Sequence, residues 1–181
     1  MNPPNLLTCL RILLVPFFFT ALVSYQPGKE KERWIAFFIF LVAALTDALD
    51  GFIARLTKSR TDLGRFLDPF ADKLLLLSGY LGLLFVPTLP YRPPLWITVT
   101  IVFRDAVIIL GLIVIFLMSG AVRVEPNILG KFTTGSQMVA LIAVLLQNPL
   151  SPPLYYFSVA LTIASCFSYI IRELKRLQNH S

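Results

Sequence analysis

Asp47-Ala-Leu-Asp50-Gly51-Phe-Ile-Ala54-Arg55, followed after eight residues by Gly64-Arg-Phe-Leu-Asp68-Pro-Phe-Ala-Asp72, places four carboxylates in an otherwise apolar part of the chain. One carboxylate at membrane depth costs about 2.5–3.5 kcal/mol even on lenient insertion scales, so four together require strong positive compensation. Three-, four- and seven-residue steps return to one helical face, so Asp47, Asp50, Gly51 and Ala54 share a face that Arg55 borders. Gly64, Asp68 and Asp72 recur at four-residue steps and share a face of the next helix. A polar turn over residues 56–63 lets the two helices run antiparallel, which predicts two carboxylate pairs facing each other across one cleft.

The surroundings of the motif decide the fold class. Of 181 residues, 56% are hydrophobic and 14% charged, with a mean hydropathy of +0.75, too apolar for a soluble domain. Apolar segments able to cross ~30 Å of hydrocarbon recur at residues 6–24, 34–56, 65–86, 95–118, 133–146 (short, and open to extension toward Lys131) and 154–171. They predict a single all-α integral membrane domain over residues 1–181 with six transmembrane helices. Prolines at Pro3/Pro4, Pro87/Pro90/Pro93/Pro94 and Pro149/Pro152/Pro153 fall between the spans and predict sharp loops. Residues 12–23 have the length of a signal-peptide core, yet Arg11 interrupts the approach and no small-residue cleavage site follows. That stretch is expected to remain as the first membrane helix.

Basic residues set the orientation. Arg55, Lys58, Arg60 and Arg65 stand against Asp62, Arg123 and Lys131 against Glu125, and Arg172, Lys175 and Arg176 against Glu173, all on one side of a six-helix chain. The other side carries Lys29, Lys31 and Arg33 diluted by Glu30 and Glu32, then Arg92. The positive-inside rule predicts both termini and the motif at the cytoplasmic face of a cell (inner) membrane. The net charge of +6 is spread over loop ends rather than gathered in a stripe with stacking aromatics, so anionic lipid head groups, not nucleic acid, are the expected partner. Cys9 and Cys166 lie in apolar spans without ligand spacing and are expected in the core.

Gly51, Ala54 and Gly64 remove bulk where a backbone or a phosphate must approach. Two divalent cations would offset the four carboxylates, and hard oxygen ligands select Mg²⁺ or Mn²⁺. Two such ions beside an arginine suit in-line attack at phosphorus, and the apolar setting points to a lipid-bearing substrate. The only histidine is His180, so a histidine nucleophile has no place, and no G-x-x-x-x-G-K-[ST] loop occurs. Two other readings stand beside this one. The aspartates could be structural ion-pair partners of Arg55, Lys73 and Arg104, or the relay of a cation-coupled transporter, although no inverted repeat or broken-helix pair accompanies them.

The pattern D-x-x-D-G-x-x-A-R-x8-G-x-x-x-D-x-x-x-D, matched without a gap from Asp47 to Asp72, resembles the signature of the CDP-alcohol phosphotransferases. The segment Asn5-Leu-Leu-Thr8-Cys-Leu-Arg11 is similar to that family's start. The resemblance implies a homodimeric membrane enzyme with two Mg²⁺ ions. Asp47 and Asp68 would bridge both ions, Asp50 would ligate one, and Asp72 would ligate the other while accepting the proton of the attacking hydroxyl. Gly51 and Arg55, with Asn5, Thr8, Thr61 and Gly64, would contact the CDP-linked lipid.

The runs from Phe66 to Lys73 and from Gly130 to Thr134, followed by Gln137, resemble the branch that makes phosphatidylglycerolphosphate from CDP-diacylglycerol and glycerol 3-phosphate. An anionic acceptor needs cations, for which Lys73, Arg104, Arg123 and Lys131 are the candidates. Arg123 and Lys131 also read as positive-inside anchors. Arg104 could also simply pair with Asp105, but adjacent helix residues point in different directions, so a role at the acceptor is the favoured reading. That branch usually carries Arg-Glu at this place. Arg-Asp is closer to the eukaryotic-type cardiolipin synthases of the same superfamily, so phosphatidylglycerol is the alternative acceptor.

Overall fold

The computed structural model describes the backbone of residues 3–57, 62–119 and 128–178, and the side chains of residues 8–46, 71–108, 110 and 128–168. The described chain forms α1 (Pro3–Val23), α2 (Glu30–Thr57), α3 (Asp62–Leu84), α4 (Leu95–Ser119), α5 (Ile128–Leu145) and α6 (Ser151–Gln178), with no strand among these residues. The all-helical class and the six helices agree with the sequence reading.

Several helix ends do not follow the apolar spans. α5 begins at Ile128 rather than at residue 133, and α6 runs from Ser151 to Gln178 rather than over residues 154–171. Apolar content marks where a helix meets hydrocarbon, whereas backbone hydrogen bonding continues through polar turns at either end. The proline reading needs a matching correction. Pro3, Pro4, Pro152 and Pro153 stand in the first turns of α1 and α6 instead of in loops, where the missing N–H has no helical partner to lose. Ser151 Oγ donates to Asn148 O at 2.6 Å, and Leu150 N donates to Asn148 Oδ1 at 2.9 Å, closing the turn before α6.

By length and composition alone, Ile128–Leu145 is the one candidate membrane span among the described residues, with a mean hydropathy of 1.5. The outer surface of the bundle is nevertheless apolar. Phe17, Phe103, Phe132 and Phe167, on four different helices, are each more than half exposed, a pattern rare on a water-facing monomer.

α1 packs broadly against both α2 and α3, and α5 packs against α6. Phe18 and Leu22 of α1, Phe40 of α2, Leu76 and Tyr80 of α3 and Leu141 of α5 meet in one buried cluster, with the Phe18 and Phe40 ring centroids 5.4 Å apart. Two glycines of α3 permit this approach. A Cβ at Gly82 would stand 2.7 Å from Leu22 Cδ2, and one at Gly79 would collide with Leu141.

A polar clasp closes one end of the bundle. Arg33 Nε donates to Glu30 Oε2 at 2.7 Å, and Arg33 NH1 donates to Leu145 O at 2.6 Å, at the last residue of α5. Tyr25 Oη donates to Glu30 Oε1 at 3.2 Å and accepts from Gln147 Nε2 at 3.2 Å. The α1–α2 and α5–α6 connections therefore meet at this end. α2, 28 residues long and thus about 42 Å, carries Asp47, Asp50 and Arg55 toward the other. Arg33, which the charge pattern counted only as a loop residue, is 7% exposed. Arg33→Met is expected to leave the Leu145 carbonyl without its charged donor and to cost about 2 kcal/mol, read as a lower Tm of the purified protein in detergent. An unchanged Tm would refute the clasp as a stabilising feature.

Candidate active site

Asp72 stands on the inner side of α3, where α1 lies alongside. Arg11 of α1 donates from NH1 to Asp72 Oδ1 at 3.0 Å, and the Arg11 side chain is 1% exposed while that of Asp72 remains 25% exposed. Thr8, one turn before Arg11, is also fully buried and shares its helical face. The N-terminal segment and the end of the aspartate motif thus converge in space. Arg11 is the functional candidate that sequence reasoning missed. The available signal was a lone guanidinium in an apolar helix, which must find a carboxylate somewhere in the bundle.

Asp47, Asp50, Gly51 and Arg55 lie on α2, Gly64 and Asp68 on α3, and Asn5 on α1. Their side-chain positions, and all of Thr61 and Arg123, fall outside the described residues. Among the described residues no three potential metal ligands cluster. The expected carboxylate cleft is therefore represented by its Asp72 wall.

The acceptor candidates Lys73 and Arg104 do come together, around a carboxylate the sequence reading had set aside. Asp105 Oδ1 accepts from Lys73 Nζ at 2.8 Å and from Arg104 NH1 at 2.8 Å. Lys73 Nζ also lies 3.2 Å from Thr134 Oγ1, and Arg104 NH2 donates to Ser165 Oγ at 2.8 Å. The local pair between Arg104 and Asp105, the less favoured reading of Arg104, is present. The rule for adjacent residues describes Cβ directions, and the long Arg104 stem bends back far enough to place its guanidinium on the neighbouring carboxylate. Arg11 is a partner of Asp72, and Lys73 and Arg104 share Asp105.

Lys131 is exposed near the start of α5. With Phe132, Gly135, Phe157 and Leu161 it lines a groove of about 680 Å³ between α5 and α6. Gln137 is fully buried. Its Nε2 donates to Thr162 Oγ1 at 3.0 Å, and its backbone carbonyl accepts from Tyr80 Oη at 3.1 Å, joining α5 to α6 and α3. Both cysteines are free thiols, but Cys9 is exposed and Cys166 half-buried, so the expectation of two core residues is corrected. A small polarisable side chain is tolerated on an apolar outer face as readily as inside.

Chemically, the arrangement offers a carboxylate oriented by a buried guanidinium, held in its charged form and partly open to its surroundings. The next residue of the chain enters a cluster of two cations and one carboxylate, suited to an anion.

Comparison with known proteins gives the chain its relatives. The family profile described as CDP-alcohol phosphatidyltransferase matches residues 1–168. Similar curated proteins include a "Probable phosphatidylglycerophosphate synthase" of Mycobacterium tuberculosis (strain ATCC 25618 / H37Rv), 36% identical over 96% of this chain and 82% of the relative. A "CDP-diacylglycerol--glycerol-3-phosphate 3-phosphatidyltransferase" of Bacillus subtilis (strain 168) is 29% identical over 98% of this chain and 97% of its own. A protein of the same description from Shigella flexneri is 34% identical over 93% of both chains.

Proposed function

Since the chain belongs to the CDP-alcohol phosphatidyltransferase family and is an enzyme of that type, we propose that it transfers the phosphatidyl group of CDP-diacylglycerol to glycerol 3-phosphate, forming phosphatidylglycerolphosphate and CMP. The observation that carries this reading is the gapless motif from Asp47 to Asp72, in a chain whose relatives, aligned over most of their length, bear the name of that reaction.

Magnesium fits the donor set, because four carboxylates offer only hard oxygen atoms and the Asp72 side chain stays partly open. Asp47, Asp50, Asp68 and Asp72 would hold two Mg²⁺ ions, with Mn²⁺ as a substitute. When bound, such ions polarise phosphoryl oxygens and offset the charge that builds on the leaving group. Gly51 and Gly64 leave room for the pyrophosphate, while Arg55, Asn5, Thr8 and Thr61 hold the nucleotide end of the donor. Lys73, Arg104, Arg123 and Lys131 attract the acceptor's phosphate. Asp72 accepts the proton of the glycerol hydroxyl as its oxygen bonds to phosphorus and the bond to CMP breaks. Arg11 keeps the Asp72 carboxylate turned toward that task. The displacement is direct and involves no covalent enzyme intermediate.

The enzyme works as a homodimer in the cell membrane, with six membrane-spanning helices, both termini in the cytoplasm and the motif facing it. The outward-facing phenylalanines and the distribution of basic loop residues support this placement.

CMP release from CDP-diacylglycerol and Mg²⁺ tests the reaction, with glycerol 3-phosphate, phosphatidylglycerol, serine and inositol phosphate supplied separately. Release is expected with glycerol 3-phosphate. Release with phosphatidylglycerol alone would reassign the chain to cardiolipin synthesis, and cation flux in liposomes without any CDP-lipid would favour a transporter.

A further inference from the structure

We propose that Asp105 is a positioning residue of the acceptor site: one buried carboxylate, shared by Lys73 and Arg104, fixes where both cations stand and leaves their cluster with one positive charge in excess. The proposal rests on the reading above that Lys73 and Arg104 receive the acceptor's phosphate.

Asp105 is 1% exposed and accepts both ion pairs on a single oxygen, Oδ1, each at 2.8 Å. The ammonium and guanidinium nitrogens are therefore no farther apart than twice that distance, a spacing at which two donors can address one phosphate group. Without a carboxylate between them, two like charges so close would repel and their long stems would swing apart. Thr134 and Ser165 complete the restraint, so side chains from α3, α4, α5 and α6 all hold this one cluster.

Counted over the ion pairs of the described residues, the cluster holds two cations and one carboxylate. A buried cation in excess of its partners is costly unless an anion completes it. Arg104 also retains a donor for such an anion, because its Nε has no hydrogen-bond partner among the described residues and the residue is 6% exposed. Lys73 follows Asp72 directly in the chain, so the carboxylate that anchors Lys73 also sets the distance between the proposed proton acceptor and the acceptor's charge.

The test compares purified full-length wild type, Asp105→Asn and Asp105→Glu in the CMP-release assay, with KM measured separately for glycerol 3-phosphate and for CDP-diacylglycerol. Asp105→Asn is expected to raise the acceptor KM about tenfold or more and to change the donor KM less than about twofold. Asp105→Glu, which keeps the charge, is expected to recover most of the loss. Equal changes in both constants, no change, or a lowered acceptor KM would overturn the proposal. If Asp105→Asn does not yield folded protein, Thr134→Val carries the test by removing one restraint on Lys73, with an expected rise of about threefold in the acceptor KM alone. Wild type that turns over glycerol 3-phosphate while the variants miss this pattern defeats the role of Asp105 only. Wild type inactive with glycerol 3-phosphate defeats the reaction itself.

Discussion

Asp72→Asn is expected to lower CMP release by about a thousandfold while leaving CDP-diacylglycerol binding within about threefold of wild type. The substitution preserves the shape of the side chain and removes its ability to take a proton, the step that turns a weakly acidic glycerol hydroxyl into a nucleophile. It also takes the negative charge from Arg11, whose guanidinium is buried against Oδ1, so some loss of stability accompanies the loss of rate. Measuring donor binding and Tm on the same preparation separates the two effects. Turnover close to wild type in a correctly folded Asp72→Asn protein would refute Asp72 as the base.

Chelation is expected to have an effect of similar size. With EDTA in excess, CMP release falls by about a thousandfold or more, and Mg²⁺ or Mn²⁺ restores it. Four carboxylates on neighbouring turns of two apolar helices repel one another unless cations offset them. Asp47→Asn should raise the Mg²⁺ concentration needed for half-maximal activity, while Arg33→Met, far from the motif, should leave that concentration unchanged. Full activity in EDTA would remove the metals from the account and return the aspartates to a purely ionic-pair role.

Much of this was legible in the residues themselves. The six helices followed from the apolar segments, with Pro87, Pro90, Pro93, Pro94 and Pro149 marking two of the connections, because burial in an apolar medium and loss of a backbone donor act locally. The helix ends were less legible. Pro152 and Pro153 begin α6 instead of breaking the chain before it, and only the backbone of the first turn, with Ser151 and Asn148 closing it, tells the two cases apart. The motif stood out because four charges at helical spacing are costly wherever they lie in lipid.

The contact of Arg11 with the motif did not stand out. Arg11 and Asp72 are 61 positions apart, and only the packing of α1 along α3 brings them together. The link between Arg104 and Asp105 was legible as a possible local pair but ranked second, for the opposite reason. The two are adjacent in sequence, and a rule about Cβ directions says nothing of how far an arginine stem can turn. Lys73 was legible as a cation near the site, but its sharing of one carboxylate oxygen with Arg104 depends on four helices meeting.

The most direct measurement of the central claim is the mass of the lipid formed when purified protein is given CDP-diacylglycerol, glycerol 3-phosphate and Mg²⁺. The account predicts phosphatidylglycerolphosphate, with one CMP released for each lipid made. Recovery of unchanged CDP-diacylglycerol, or of phosphatidate formed by attack of water, would contradict it.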